Sequence, residues 1–255
     1  MRNSFERFNI DHLSPSSLNT WKTAPGIWAL RYIAKIKSEG APRMWRGTAV
    51  ENGLAALLQQ PYGLLDVKVE RAKAVAHQNF DLNAEHAEQN GELIGERELI
   101  APMIEQCAKW KAPSKLNATQ LKIEYWLDPI PVPIEGWLDF AFDGIDIDLK
   151  TTKRCPKLET GPEPSHVGQV SIYRAARGRA GGLLYVSHAN HTYFEVTDEM
   201  MDGALEDMRA TALSLNNFLA RMDTKEDVLR SLPVDYGHFQ APKTKVNFED
   251  LLSAG

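Results

Sequence analysis

Two acidic residues and a lysine flank an Asp-Gly pair near the middle of the chain. Asp139 precedes Asp143-Gly144, while Asp148 and Lys150 follow it. Asp-Gly between two β-rich stretches is a strong hairpin signal, and a two-residue type I′ loop would pair Asp139 with Asp148. Opposed carboxylates repel each other, so a divalent cation would account for the pair, because it prefers oxygen ligands. Lys150 would then lie within reach of a water molecule or a phosphate held by that cation.

The same register sorts the apolar side chains of the hairpin onto one face. It pairs Phe140 with Ile147 and Ala141 with Asp146, and strand alternation predicts a buried layer on one side. The residues of this layer are Leu138, Phe140, Phe142, Ile145, Ile147 and Leu149. A slip of one residue would send Asp148 into the apolar layer. A simpler interpretation stays open, in which the other face is exposed and its Asp and Lys residues form a surface salt bridge.

The elements that must position this hairpin follow from hydrophobic periodicity and capping signals. Ser14 or Ser16 caps a first helical segment, which Pro25-Gly26 divides into two short helices. Further helices are predicted at about 43–60, 66–90, 96–111, 165–179 and 197–222, with a short one at 247–252. Strands are predicted at 119–127, 134–142, 145–150, 181–188 and 192–196. This order predicts an α/β fold with a mixed central β-sheet flanked by helices. We expect one domain over residues 1–255, with a core at about 13–222 and a weakly patterned tail at 223–255.

The charge of the chain is unevenly distributed. The net charge is −5, which by itself argues against a nucleic-acid-binding protein. Residues 22–46, however, contain six Lys or Arg against one acidic residue, and residues 150–179 contain seven against two. Such segments predict either a basic groove on an acidic protein or ordinary solvated faces. With no apolar run of membrane-spanning length, no signal peptide pattern and two separate cysteines, the sequence favours a cytoplasmic protein.

Four short motifs occur in one order along the chain. They are Gly47-Thr48-Ala49-Val50-Glu51, Gly136-Trp137-Leu138-Asp139, Asp148-Leu149-Lys150-Thr151 and Gln169-Val170-Ser171-Ile172-Tyr173, preceded by Ser14-Pro15-Ser16-Ser17-Leu18. This ordered set resembles the PD-(D/E)XK nuclease superfamily, and within it the RecB-like and lambda-exonuclease-like (YqaJ-like) branches. The resemblance covers about residues 13–190. It implies a restriction-endonuclease-like core and a metal-dependent nuclease.

The resemblance also implies a role for each motif residue. The metal ligands would be Glu51, Asp139, Asp148 and the backbone carbonyl of Leu149, binding Mg²⁺ or Mn²⁺. Lys150 would be the catalytic lysine. The family more often has Glu at the position of Asp148, and RecB-like members usually have His at the position of Glu51. Glu51 alone would also be explained as a solvated helix residue. The cysteine quartet of iron–sulfur-containing members is absent from the sequence, so we expect no iron–sulfur cluster.

Several further residues are candidates for contact with the substrate. Gln169 would orient the lysine or a phosphate, and Tyr173 would lie near DNA, although a half-buried aromatic is an equal interpretation. Arg46 and Arg174 are candidate phosphate contacts, and both also fit ordinary surface positions; Ser16, in the leading segment, is a further candidate DNA contact. The remaining candidates are His166, one helical turn before Gln169, and three tryptophans that would stack on single-stranded bases or occupy core positions: Trp21, Trp28 and Trp45.

The resemblance therefore predicts a DNA exonuclease of recombination, repair or phage DNA metabolism, in a bacterial or phage-infected cell. Two alternatives stay open: a structure-specific or restriction-type endonuclease, and a DNA-binding module of the same fold without activity. The expected partner is linear DNA, single- or double-stranded, and no membrane. A homo-oligomer, or an association with a single-strand-binding or annealing protein, is compatible with the resemblance.

Overall fold

The computed structural model describes residues 3–36, 40–60, 62–238 and 241–242. Its described helices are α1 Ser4–Arg7, α2 Pro15–Thr23, α3 Pro25–Tyr32, α4 Pro42–Leu58, α5 Leu65–Asn83, α6 Gly91–Glu98, α7 Ile100–Lys109, α8 Pro164–Arg177, α9 Asp198–Ala220 and α10 Lys225–Ser231. Its described strands are β1 Leu116–Tyr125, β2 Ile134–Phe142, β3 Ile145–Thr151, β4 Ala180–Val186 and β5 His191–Val196. The short helix predicted at 247–252 lies outside the described residues.

Internal contacts divide the chain into two compact units. The first consists of residues 1–39, 123–136 and 202–255, and the second of residues 40–122 and 137–201. The hairpin motif and three of the four family motifs lie entirely in the second unit, and Asp139 of the remaining motif does as well. The expectation of one nuclease domain over the whole chain stays a prediction.

The first unit contains the predicted pair of short helices. Ser14 is the N-cap of α2: its hydroxyl accepts a hydrogen bond from the backbone of Ser17 at 3.0 Å, and the Ser17 hydroxyl accepts one from the backbone of Ser14 at 2.8 Å. Pro25 begins α3, where its missing N–H is not needed. The interruption predicted at Pro25-Gly26 is therefore confirmed.

Helix boundaries in the second unit differ from the predicted ones. The segment predicted as one helix over 66–90 ends at Asn83, and α6 begins only at Gly91. The start of α6 is fixed by a cap that the periodicity does not reveal, since the Asn90 side chain accepts a hydrogen bond from the backbone of Leu93 at 3.0 Å. Helices α1 and α10 were not predicted; both are short and carry their own capping boxes, at Asn3 and Thr224.

In the described part of the chain, five strands form one sheet in the order β1-β2-β3-β4-β5. Strands β2 and β3 pair antiparallel, β3 and β4 parallel, and β4 and β5 antiparallel. Helix α8 makes the crossover that a parallel β3–β4 pair requires. This mixed sheet with flanking helices confirms the predicted α/β architecture.

The predicted hairpin register is confirmed, but the predicted turn type is wrong. Phe140 pairs with Ile147 and Ala141 with Asp146. A type I′ turn needs positive φ at both central residues, whereas only Gly144 of the Asp143-Gly144 pair has one, at 87°. The register holds all the same because it is set by which side chains must be buried.

The two faces of the central strands are covered by different helices. On one face, Phe140, Ile147 and Leu149 belong to a buried cluster to which α4, α5 and α7 contribute. The other face lies against α8, which packs on β3 and β4. None of the helices in the described part of the chain combines the length and the apolar character that a membrane crossing requires.

Candidate active site

The hairpin brings its two aspartates onto the face covered by α8. Continuing the observed register by one step places Asp139 level with Asp148, and alternation points both away from the Phe140–Ile147 layer. Asp139 is 9% exposed and Asp148 is 1% exposed. The exposed-face interpretation of the hairpin is therefore wrong, because α8 covers the carboxylates that it assumed to be solvated.

A chain of polar contacts links Asp148 to α8 through Lys150. The Lys150 Nζ lies 2.7 Å from Asp148 Oδ2 and donates a hydrogen bond to Gln169 Oε1 at 2.8 Å. The Gln169 amide donates to the Tyr173 hydroxyl at 2.7 Å, and that hydroxyl donates to the Trp137 carbonyl oxygen at 2.8 Å. Gln169 and Tyr173 lie one turn apart on α8, which is why both reach the same side of the sheet. The Lys150 ammonium group is thus fixed by two partners, the Asp148 carboxylate on β3 and the Gln169 amide oxygen on α8.

Asp139 is joined to Glu51 through a residue of β1. Its Oδ2 accepts a hydrogen bond from the backbone N–H of Leu149 at 2.8 Å, which fixes the carboxylate against β3. The Gln120 side-chain amide donates to Asp139 Oδ1 at 3.4 Å and also to Glu51 Oε1. Glu51 belongs to α4, so three elements meet at this amide.

Burial and mutual repulsion make these three carboxyl groups difficult to ionise together. Burial, followed by the nearby Asp148 and Glu51 carboxylates, raises the pKa of Asp139 well above its usual range. Burial raises the pKa of Glu51 to about 7, with the Asp148 carboxylate adding to the effect. Burial also raises the pKa of Asp148, although Lys150 opposes it. Burial alone would lower the pKa of Lys150, but the carboxylates of Asp148 and Asp139 outweigh it, and the pKa lies above its ordinary value.

The donor set fits a hard divalent cation. Carboxylate and carbonyl oxygens are its preferred ligands, a positive ion would offset the repulsion just described, and Asp148 Oδ1 is buried with no hydrogen-bond partner among the described residues. Within the described ranges, no cation position is surrounded by three or more His, Cys, Asp or Glu side chains. Gln120 engages Glu51 and Asp139, and Lys150 engages Asp148, so side-chain rotations are required to bring the oxygens onto one ion.

Helix α4 comes close to the end of β3 at Gly47. A Cβ at this position would lie 3.3 Å from the Thr151 hydroxyl oxygen, which leaves little room for a larger residue. One residue earlier, Arg46 is 4% exposed and forms a buried ion pair with Glu96 of α6. Burial lowers the pKa of Arg46, although the Glu96 carboxylate opposes this effect. The Arg46 guanidinium is therefore engaged inside the protein rather than presented on its surface.

The other candidate contact residues are dispersed. Tyr173 is 1% exposed, so it holds Gln169 rather than facing solvent. Arg174 follows it on α8, is partly exposed, and forms an ion pair with Asp198 at 3.0 Å. Ser16 is exposed on α2, in the first compact unit. The structure thus brings Glu51, Asp139, Asp148, Lys150 and Gln169 together in the second unit, while the surface contacts stay predictions.

His166 lies near this group in a defined protonation state. Its Nδ1 is 2.7 Å from the Tyr185 hydroxyl, which also accepts a hydrogen bond from the backbone N–H of Glu163 at 3.1 Å. Either atom of the Tyr185–His166 contact can be the donor, because a hydroxyl oxygen that accepts from Glu163 can still donate its own proton or accept a second one. Burial, and after it the charge of Lys150, lowers the pKa of His166 to about 3. The imidazole is neutral.

Several residues of the site were not found from the sequence. No sequence motif includes Gln120, Glu96 or Tyr185, because each contacts a partner that is distant along the chain. Gln120 has a φ of 51° within β1. Gly and Asn adopt this left-handed conformation more often than Gln does, so the strand pattern of the sequence did not indicate it. The tryptophans are explained by packing: Trp21 and Trp28 are buried, and Trp45 packs edge-to-face on Phe80 at the margin of the core.

Comparisons with known proteins agree with this fold. A family model described as the PD-(D/E)XK nuclease superfamily matches residues 12–244. A crystal structure of a candidate exonuclease from Eubacterium rectale superposes with a TM-score of 0.55 at 15% identity, over 96% of this chain and 94% of that chain. The structure of LHK-Exo in complex with dAMP gives a TM-score of 0.33 at 13% identity, over 69% of this chain and 94% of that one. No curated protein matches this sequence closely enough to count as a relative.

Proposed function

The chain belongs to the PD-(D/E)XK nuclease superfamily, and from that premise we propose that it is a divalent-metal-dependent exonuclease acting on linear DNA. The family consists of enzymes that hydrolyse nucleic-acid phosphodiester bonds, generally with divalent metal ions. Within it, the ordered motifs favour the RecB-like and lambda-exonuclease-like branches, and with them a role in recombination, repair or phage DNA metabolism.

One observation supports the activity most directly: two buried carboxylates face each other on a hairpin beside a lysine. Asp139 and Asp148 are both nearly inaccessible to solvent, and such groups are normally neutralised by a partner or a metal ion. Lys150 provides one positive charge for these two residues and Glu51. An inactive descendant of the fold would have no physical reason to keep this destabilising arrangement, which argues against the binding-module alternative.

The proposed metal ligands are Asp139, Asp148, Glu51 and the backbone carbonyl of Leu149. The N–H of Leu149 points to Asp139, and a strand residue directs its N–H and C=O towards the same neighbouring strand. Its carbonyl oxygen therefore also points towards the Asp139 side. An all-oxygen set favours Mg²⁺ or Mn²⁺ over zinc. Such an ion lowers the pKa of a bound water molecule and polarises the phosphate.

The remaining residues act on the lysine and the substrate. Lys150, fixed by Asp148 and Gln169, would direct its ammonium hydrogens at the attacking water or at an oxygen of the scissile phosphate. Gln169 and Tyr173 would hold the lysine in this orientation, and Tyr173 has this positioning role in place of a DNA contact. Arg174 and Ser16 remain proposed backbone contacts to DNA. Arg46, which is paired with Glu96, is proposed to stabilise the α4–α6 contact instead.

Digestion of end-labelled DNA tests this function. Linear single- and double-stranded substrates and a closed circle are incubated with Mg²⁺, Mn²⁺ or EDTA. We expect mononucleotides or short products from the linear DNA with either ion, an intact circle, and no digestion in EDTA. Cleavage of the circle would identify an endonuclease. DNA binding without turnover under every condition would identify the inactive module, and full activity in EDTA would exclude the metal mechanism.

A further inference from the structure

Gln120 lies where three parts of the site meet. Its side-chain amide nitrogen donates to Glu51 Oε1 and to Asp139 Oδ1, two of the oxygens proposed to bind the metal. We propose that Gln120 is a positioning residue of the metal site, whose amide holds Glu51 and Asp139 in the metal-free enzyme and is displaced when the cation binds. This inference rests on the proposed metal-dependent function.

The chemistry of the amide supports this assignment. An amide nitrogen has two N–H donors, while an amide oxygen only accepts. The amide nitrogen points at both carboxyl groups, and an amide oxygen in its place would be repelled by either carboxylate in its ionised form. The amide therefore supplies the positive end of a dipole between two acidic side chains. A metal ion needs the same oxygen lone pairs, and an oxygen cannot serve both at once in the same direction.

The backbone of Gln120 supports a specific purpose for this placement. Its φ of 51° lies in the left-handed region, which a non-glycine residue occupies at an energetic penalty of about 1–2 kcal/mol. Such conformations persist where the surrounding structure requires them, and they occur preferentially at functional sites. From this position the side chain contacts Glu51 of α4 and Asp139 of β2. The residue is also exposed, so its amide has solvent into which it can move when it is displaced.

The proposal makes two effects run in opposite directions. Without metal, removal of the amide leaves Glu51 and Asp139 without their shared donor, so the metal-free protein should become less stable. With metal, the same removal abolishes a competitor, so the cation should bind more tightly. A purely structural role would lower the stability and leave the metal affinity unchanged or weaker. An oxygen ligand would give weaker metal binding.

The test uses Gln120→Met, which retains the side-chain length without any N–H donor, and Gln120→Glu as a second variant. Asn117→Ala, an exposed change on the same strand, is the control. Melting temperatures are measured in EDTA, and Mn²⁺ binding is measured by calorimetry without DNA. For Gln120→Met we expect a lower melting temperature in EDTA and about threefold to tenfold tighter Mn²⁺ binding. Gln120→Glu should behave likewise, and Asn117→Ala should match the wild type.

Each outcome is decisive. If the wild type binds Mn²⁺ and Gln120→Met binds it equally or more weakly, the inference is wrong while the proposed function stands. If the wild type and all variants bind neither Mn²⁺ nor Mg²⁺, the metal-dependent function and this inference fail together. Tighter binding by both Gln120 variants, with the control unchanged, supports the inference.

Discussion

At the residue scale, the site combines three buried or partly buried carboxyl groups with one lysine. Lys150 is shared between the Asp148 carboxylate and the Gln169 amide oxygen, while Asp139 depends on a backbone N–H and on Gln120. Each of these partners has a different relation to the proposed chemistry, so single substitutions should separate catalysis, metal binding and folding from one another.

Lys150→Ala should abolish cleavage while DNA binding and metal binding are retained. The change removes the ammonium that we propose to act on the water and the scissile phosphate, but it leaves all four proposed metal ligands. Loss of such a transition-state contact lowers the rate by about a hundredfold or more. Single-turnover digestion gives the rate, and binding is measured in Ca²⁺. A variant that still cleaves at the wild-type rate would exclude Lys150 from the chemistry.

Asp139→Asn and Asp148→Asn should differ in stability without metal, although both should lose metal affinity. Asparagine at position 139 can still accept from Leu149, and it removes a buried charge beside two other carboxylates, so the melting temperature in EDTA should stay level or rise. Asparagine at position 148 removes the ionic partner of Lys150, so the melting temperature should fall. Equal melting temperatures for the two variants would contradict this distinction.

The neutral His166 predicts a specific dependence of stability on pH. Its pKa is about 3 in the folded protein against a reference value of 6.5, so between these values the unfolded chain binds a proton that the folded chain does not. This proton uptake by the unfolded chain does not affect the free energy of unfolding above pH 6.5, and it lowers that free energy progressively as the pH falls from 6.5 towards 3. His166→Gln should therefore lose less urea resistance between pH 7.5 and 5 than the wild type. His188→Gln, at an exposed position, is the control and should lose as much as the wild type.

At the element scale, α8 determines the environment of the site. It packs on β3 and β4, carries Gln169 and Tyr173, and is followed by the C-cap residue Gly178, whose φ of 64° lies in the left-handed region. The close approach of α8 to the sheet requires a glycine at position 181 of β4, because a Cβ there would lie 2.2 Å from Val170 Cγ1. The position of α8, and with it the contact between Gln169 and Lys150, therefore depends on this glycine.

Gly181→Ala should destabilise the protein and reduce its activity together. Forcing a methyl group into this packed contact typically costs about 1–3 kcal/mol, and displacement of α8 would separate Gln169 from Lys150. The matched control is Gly95→Ala in α6, where a Cβ would meet nothing within 4 Å. That change should stabilise the helix by about 0.5–1 kcal/mol. Denaturant midpoints and cleavage rates are compared, and an unaffected Gly181→Ala protein would show that α8 packs differently.

At the scale of the whole molecule, an acidic protein is proposed to bind a polyanion. The net charge is −5, so binding must depend on local clusters of basic residues. The segment after β3 is one of them: Lys153 and Arg154 are exposed there, directly beyond Lys150. The Lys153 Nζ lies 3.7 Å from Glu96 Oε1, so a change of Lys153 would also affect the Arg46–Glu96 ion pair. Arg154 is therefore the better residue for a test of DNA binding.

Arg154→Glu should weaken DNA binding and make it less dependent on salt. Each phosphate contact contributes about 0.9 to the slope of log affinity against log salt for duplex DNA, so the loss of one contact should lower the slope by about 1. Lys111→Glu, an equal change of charge at an exposed position after α7, is the control. Equal weakening by both variants would indicate a general charge effect, and no weakening by Arg154→Glu would place the DNA path elsewhere.

Local rules in the sequence were sufficient for the hairpin and for much of the fold. Alternation along β2 and β3 predicted the pairing of Phe140 with Ile147, because a shift of one residue would bury every polar side chain of the hairpin. The Ser14 cap, the break at Pro25 and the order of helices and strands were also predicted. Each of these features depends on residues close together in the chain, and each family motif is equally short, although the ordered set of motifs spans residues 47–173.

Only the tertiary structure decided what surrounds the motif residues. Arg46 is captured by Glu96, 50 positions away, and Gln120 reaches Glu51, 69 positions away. Likewise, the burial of Asp148 and Tyr173 depends on how closely α8 packs on the sheet. The sequence determined which side chains share a face, because that follows from the backbone repeat. It did not determine which other element covers that face, because such contacts depend on the packing of the whole unit. That packing decides whether a residue is exposed, which ion pair it forms and which backbone conformation it adopts.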